Sequence, residues 1–126
     1  MWQNMSQRVF DFIRGSRKYV TLPAPVNSGE TINLYVSAPE TIVKFDGDIT
    51  QNFNLNTVVP NAKLGDKLYI IMKSDGPLRV ITSIGNLSFN SCGSFSPINT
   101  YDLSNTTNTI IPLLFDGTNF VGLDYC

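Results

Sequence analysis

Apolar residues in this chain follow two different spacings. Near the N-terminus Trp2, Met5, Val9 and Phe12 recur at intervals of three, four and three, which places them on one face of a helix. Gln3, Asn4, Gln7, Arg8 and Asp11 fall mostly on the other faces, and Gly15 supplies a stop. The pattern predicts a helix over residues 2–14. It is also an a/d seam, but shorter than the three to four heptads a coiled coil usually needs. A helix of this length is marginal alone in water. Its apolar face must therefore be covered by the chain's own sheet, by an oligomer seam, or by a partner's groove.

From residue 31 onward the spacing shortens to two. Ile32, Leu34 and Val36 alternate with Thr31, Asn33 and Tyr35, and Ile49, Phe53 and Leu55 alternate with Thr50, Asn52 and Asn54. This alternation predicts half-buried strands. Strands are expected over 31–36, 41–45, 49–56, 67–72, 78–82, 87–89, 109–115 and 120–125. Asp46-Gly47, Asp75-Gly76 and Asp116-Gly117 lie between them, and Asp-Gly is a strong hairpin signal because the tight primed turns need positive φ. Residues 90–108, rich in Ser, Asn and Thr, read as a long exposed loop. The expected architecture is all-β, an antiparallel sandwich or jelly-roll-like body with a short N-terminal helix. Residues 1–22 form a helical anchor or oligomerisation arm, 23–30 a Pro- and Gly-containing linker, and 31–126 the β domain.

Composition narrows the function. The 126 residues suit one domain, with 42% hydrophobic, 11% aromatic and only 15% charged residues. Asn, Thr and Ser take the place of ions on the surface. The net charge is −1 and the basic residues are scattered, which leaves no stripe for a phosphate backbone and argues against nucleic acid. The apolar runs are short and interrupted, so neither membrane insertion nor a secretory signal is expected. The two cysteines, Cys92 and Cys126, read as independent thiols or as one pair rather than as a disulfide framework.

Candidate chemistry is sparse. The chain has no histidine, which removes His-dependent nucleophilic triads and His metal sites. Asp46 and Asp48 could serve as calcium ligands or an acid/base pair, but the glycine between them favours a turn. Cys92 has no base or cation close in sequence to lower its pKa. No cofactor and no catalytic residue is expected. Tyr35, Tyr69 and Tyr101, set among Asn and Thr, are candidates for a neutral glycan site.

The run Gly65-Asp66-Lys67-Leu68-Tyr69-Ile70-Ile71-Met72, then Asp75-Gly76, Leu78-Arg79-Val80-Ile81 and Ile110-Ile111-Pro112-Leu113-Leu114-Phe115-Asp116-Gly117-Thr118-Asn119-Phe120, resembles β-rich domains of phage fibre, head-fibre and tail-spike proteins. The resemblance covers roughly residues 60–123. It implies a non-enzymatic virion surface protein, often trimeric, with the N-terminus attached to the particle. Under it, Trp2, Met5, Val9 and Phe12 are the candidate contacts to partner virion proteins or to other copies. A carbohydrate-binding or receptor-attachment module using a host glycan is the alternative.

Overall fold

The computed structural model describes residues 17–89 and 99–122. Ten strands appear in chain order: β1 (Lys18–Pro23), β2 (Thr31–Tyr35), β3 (Glu40–Asp46), β4 (Phe53–Val58), β5 (Lys67–Met72), β6 (Arg79–Ser83), β7 (Leu87–Ser88), β8 (Thr100–Leu103), β9 (Thr109–Phe115) and β10 (Phe120–Gly122). The fold is all-β, and no helix occurs among the described residues. The helix expected over 2–14 lies outside them, as do Cys92, Cys126 and the last residues of the expected strand 120–125.

The strands form two sheets. Sheet A has the order β1-β3-β5-β9-β10-β7, and sheet B the order β2-β4-β6-β8. From β1 to β7 the chain alternates between them, one strand in each. As far as β6, strands two apart in sequence therefore become neighbours and run in the same direction. β1 pairs with β3, β3 with β5, β2 with β4 and β4 with β6, all parallel. Antiparallel pairing enters only with the last strands, at β6–β8, β5–β9 and β9–β10. β7 then lies parallel to β10.

Both sheets are thus mixed, which corrects the expectation of an antiparallel, jelly-roll-like body. The physical reason sits in the turns. Gly47, Gly76 and Gly117 all have positive φ (84°, 128° and 103°), as the Asp-Gly signal requires. Only Asp116-Gly117 closes a hairpin, with Asp116 N–H donating to the Asn119 carbonyl and Phe120 pairing back on Phe115. The other two pass the chain across to the facing sheet. They stack on one another instead: Ile49 N–H donates to the Lys73 carbonyl, Asp75 N–H to the Ile49 carbonyl, and Ile49 bridges Ser74.

Inward positions of both sheets meet in one core. Val43, Phe45, Leu68, Ile70, Met72, Ile111, Leu113 and Phe120 come from sheet A, and Leu34, Phe53, Leu55, Ile81 and Leu103 from sheet B. Phe45 and Phe53 cross between the layers edge to face at 5.5 Å, a favoured aromatic geometry. Two strands lie where none was expected. Residues 18–23, assigned to the arm and the start of the linker, form the edge strand β1, and residues 100–103 of the expected loop form β8. The stretch from residue 24 to 30 does connect, but it joins β1 of one sheet to β2 of the other.

Candidate interaction surfaces

Strand periodicity assigns every residue of the sheets to the core or to an outer face. On sheet A the register carries Tyr19 beside Ile42, Ile42 beside Tyr69 and Tyr69 beside Pro112. These four make one row across β1, β3, β5 and β9, pointing away from the core. The adjoining row brings Lys44, Ile71 and Ile110 together. Tyr19 is 68% and Ile110 59% exposed, while Ile42, Tyr69, Ile71 and Pro112 are half-buried. Sheet A therefore carries apolar side chains on both faces, with Glu40, Lys44 and Lys67 interspersed on the outer one, a trait shared with sheets that are covered on both sides. The signal was present in the sequence: Leu68-Tyr69-Ile70-Ile71-Met72 and Ile110-Ile111-Pro112-Leu113-Leu114-Phe115 are continuous apolar runs, not alternations.

Sheet B differs. Its outer face carries the row Thr31, Asn54, Thr82 and Thr100 across all four strands, with Asn33 beside Asn56. Asn56 Nδ2 donates to Asn33 Oδ1 at 2.9 Å and Asn54 Nδ2 to the Gly29 carbonyl at 3.2 Å. Asn52 Oδ1 accepts from the Val80 N–H at 2.9 Å. Amide side chains thus bind one another and the backbone along this face.

A third feature lies between the sheets at one end. β1 and β2 are the outermost strands of sheets A and B on the same side of the body. Between them opens a cavity of about 190 Å³ lined by Lys18, Val20, Leu22, Asn33, Leu34, Tyr35 and Val43. Val20 and Leu22 point inward but stay half-buried, and among the described residues no further strand closes the layer. At the rim Arg17 donates to the Tyr19 hydroxyl and to Glu40 Oε2, both at 3.3 Å. These two contacts, the hydroxyl first, raise the Arg17 pKa.

The opposite end has the shorter strands β7 and β8, and short edge strands are one way a sheet avoids further pairing. β1 and β2 are longer, and among the described residues one side of each has no sheet neighbour.

The structure separates the three tyrosines named as a glycan site. Tyr35 stands exposed at the end of β2 on the outer face of sheet B, and Tyr69 is central on the outer face of sheet A. Tyr101 turns inward, its ring 5.5 Å from Phe89. They do not converge on one pocket. Asp46 and Asp48 flank Gly47 at the corner after β3, where Asp48 pairs with Lys73 at 3.4 Å. Among the described residues no three His, Cys, Asp or Glu are grouped to hold a metal ion. Trp2, Met5, Val9 and Phe12 lie outside the described residues. No helix among them is long and apolar enough to cross a membrane.

No family model, curated protein or solved structure matches the chain.

Proposed function

We propose that this chain is a non-enzymatic structural subunit that works as an oligomer on a phage-type particle, as a short head-fibre, decoration or tail-fibre module. The resemblance of residues 60–123 to fibre domains motivates the setting and favours a trimer. The observation that carries the assembly part is the open end at β1 and β2. Among the described residues two adjacent edge strands have no further sheet neighbour there, and the core between them is accessible through a largely apolar cavity. Such an end invites a second chain to extend or cap both sheets. The amide and hydroxyl rows on the outer face of sheet B suit the side that meets water.

The test is the solution mass of the full chain by light scattering over a wide concentration range. The native protein is expected above the single-subunit mass. Val20→Asp places a charge at the cavity and is expected to lower the mass to one subunit while the β-sheet circular dichroism persists. Leu22→Lys should do the same from the next inward position of β1. A native protein that stays a single subunit at every concentration would rule out the oligomer.

A further inference from the structure

Sheet A cannot be left with its outer face in water without cost. Each half-buried aliphatic or aromatic side chain there stands to gain from further burial in proportion to the apolar area removed from water. Its inner face is already filled by Val43, Ile70 and Ile111, so an element that covers these side chains would lie on the outside. The remaining question is what that element is.

The chain itself supplies an occupant of the right chemistry, position and length. Residues 1–16 lead directly into Arg17 and β1, the edge strand of the same sheet. The spacing of Trp2, Met5, Val9 and Phe12 would set them on one face of a helix stopped at Gly15. A connector of residues 15–17 is within the roughly 2–6 residues usual between a helix and the strand that follows it. An element joined that closely to β1 is within reach of the outer face of sheet A. Its dimensions agree. Residues 2–14 as a helix would run about 20 Å, and four strands from β1 to β9 span about 14 Å between the outer axes. A helix laid over a sheet is a standard layer pairing.

We propose that residues 1–16 of the same chain fold across the outer face of sheet A, with the Trp2, Met5, Val9 and Phe12 face set on the row Tyr19, Ile42, Tyr69 and Pro112 and on Ile71 and Ile110. The segment is then the third layer of the body, its apolar stripe used within the chain rather than as an anchor in another protein. This stands apart from the assembly reading, whose test reads mass and not the environment of Trp2.

Trp2 is the only tryptophan in the chain, so its fluorescence reports on this contact without labelling. In the native full-length protein, Trp2 emission is expected to be blue-shifted and protected severalfold from acrylamide quenching relative to the urea-unfolded chain. Ile110→Asp, or Tyr19→Glu at the exposed edge should the first variant fold poorly, is expected to remove the protection while the β-sheet circular dichroism remains. Co-refolding Ile110→Asp with an excess of a Trp2→Phe chain, which carries an intact sheet A, should leave Trp2 quenchable. Rescue of protection by that excess would mean that another copy covers the face, and would overturn the proposal. So would a native Trp2 as quenchable as in urea, or a Trp2 that stays protected in both face variants.

Discussion

The outer faces of the two sheets are built on the same pleat and the same kind of register, yet they solve opposite problems. At equivalent positions across four strands, sheet B presents Thr31, Asn54, Thr82 and Thr100 where sheet A presents Tyr19, Ile42, Tyr69 and Pro112. Sheet B binds its own amides together and leaves the rest to water. Sheet A offers area instead of hydrogen bonds. Backbone geometry does not distinguish the two; only the outward residues do. Side-chain identity at alternate positions decides whether a sheet is a wall facing solvent or a middle layer.

The largest effect expected from a single substitution falls where sheet B meets the end of sheet A. Gly85 follows β6 and lies directly over β4. A Cβ there would sit 2.5 Å from Asn56 Oδ1, 2.6 Å from the Thr57 nitrogen and 2.8 Å from the Thr57 oxygen. Two of these atoms are backbone, and neighbouring bonds hold them: Ile84 N–H donates to the Leu55 carbonyl and Asn86 N–H to the Thr57 carbonyl. Gly85→Ala should therefore cost about 3 kcal/mol by forcing the segment off β4. Urea unfolding checks it. A loss within experimental error would show that the approach of residues 84–86 to sheet B is looser than the contacts imply.

The next effect tests the comparison directly. Tyr69 and Thr82 are interior members of the two outer rows. Tyr69→Ser removes a half-buried ring that lies between Ile42 and Pro112 and is expected to cost about 1–2 kcal/mol. Thr82→Ser removes one methyl from a face already dominated by polar groups and should stay within about 0.5 kcal/mol. Equal costs in urea unfolding would mean that the apolar row contributes no more than a solvated one.

How much of this was legible in the sequence varied with the physics of each element. β5 and β9 were read with their observed limits, 67–72 and 109–115, because long apolar runs bounded by turn residues admit few other interpretations. Strand pairing was not legible. Positive φ at Gly47 serves a corner between sheets as well as it serves a hairpin, so Asp-Gly marks a change of direction without saying where the chain goes next. β1 is hidden by Pro23 at its end and Pro25 just beyond it, and β8 by the Ser/Asn/Thr composition of its surroundings. Side-chain chemistry makes the three tyrosines candidates for a glycan site, but it does not say that Tyr101 turns inward against Phe89 while Tyr35 and Tyr69 stand on opposite sheets. The second apolar face of sheet A was written in the doubled residues Ile70-Ile71 and Ile110-Ile111. It becomes a surface only once the register aligns Ile71 with Ile110.

A smaller effect is expected inside the body. The hydroxyls of Thr41 and Thr57 are buried with no hydrogen-bond partner among the described residues. Thr57 faces the core from β4 beside Leu34. A buried hydroxyl without a partner keeps its desolvation cost and returns nothing. Thr57→Val keeps the shape and is expected to stabilise the chain by about 1 kcal/mol, raising the urea midpoint. A destabilised variant would show that the hydroxyl has found a partner after all.

The smallest effect concerns the corners rather than either face. Arg79 Nε donates to Asp75 Oδ1 at 2.9 Å and Nη2 to Oδ2 at 2.8 Å, closing a fork across the turn between β5 and β6. This fork holds the Asp75 carboxyl below the usual carboxylate range. The backbone N–H groups of Asn119 and Thr118 do the same to Asp116 at the β9–β10 hairpin. A folded-state pKa lowered below the unfolded value of about 3.9 stabilises the fold in full above that value and loses the contribution as pH falls through the folded one. Urea midpoints should therefore fall on acidification below about pH 4. Asp75→Asn should remove part of that fall, with the Asp116 part remaining. Both groups are partner-bound near the surface, so added salt should weaken the Asp75 component first, because a salt-bridge fork is screened while backbone N–H donors stay in place. Acid should thus loosen the turns and spare the difference between the two faces, since that difference is made by apolar area and neutral amides, neither of which takes up a proton in this range.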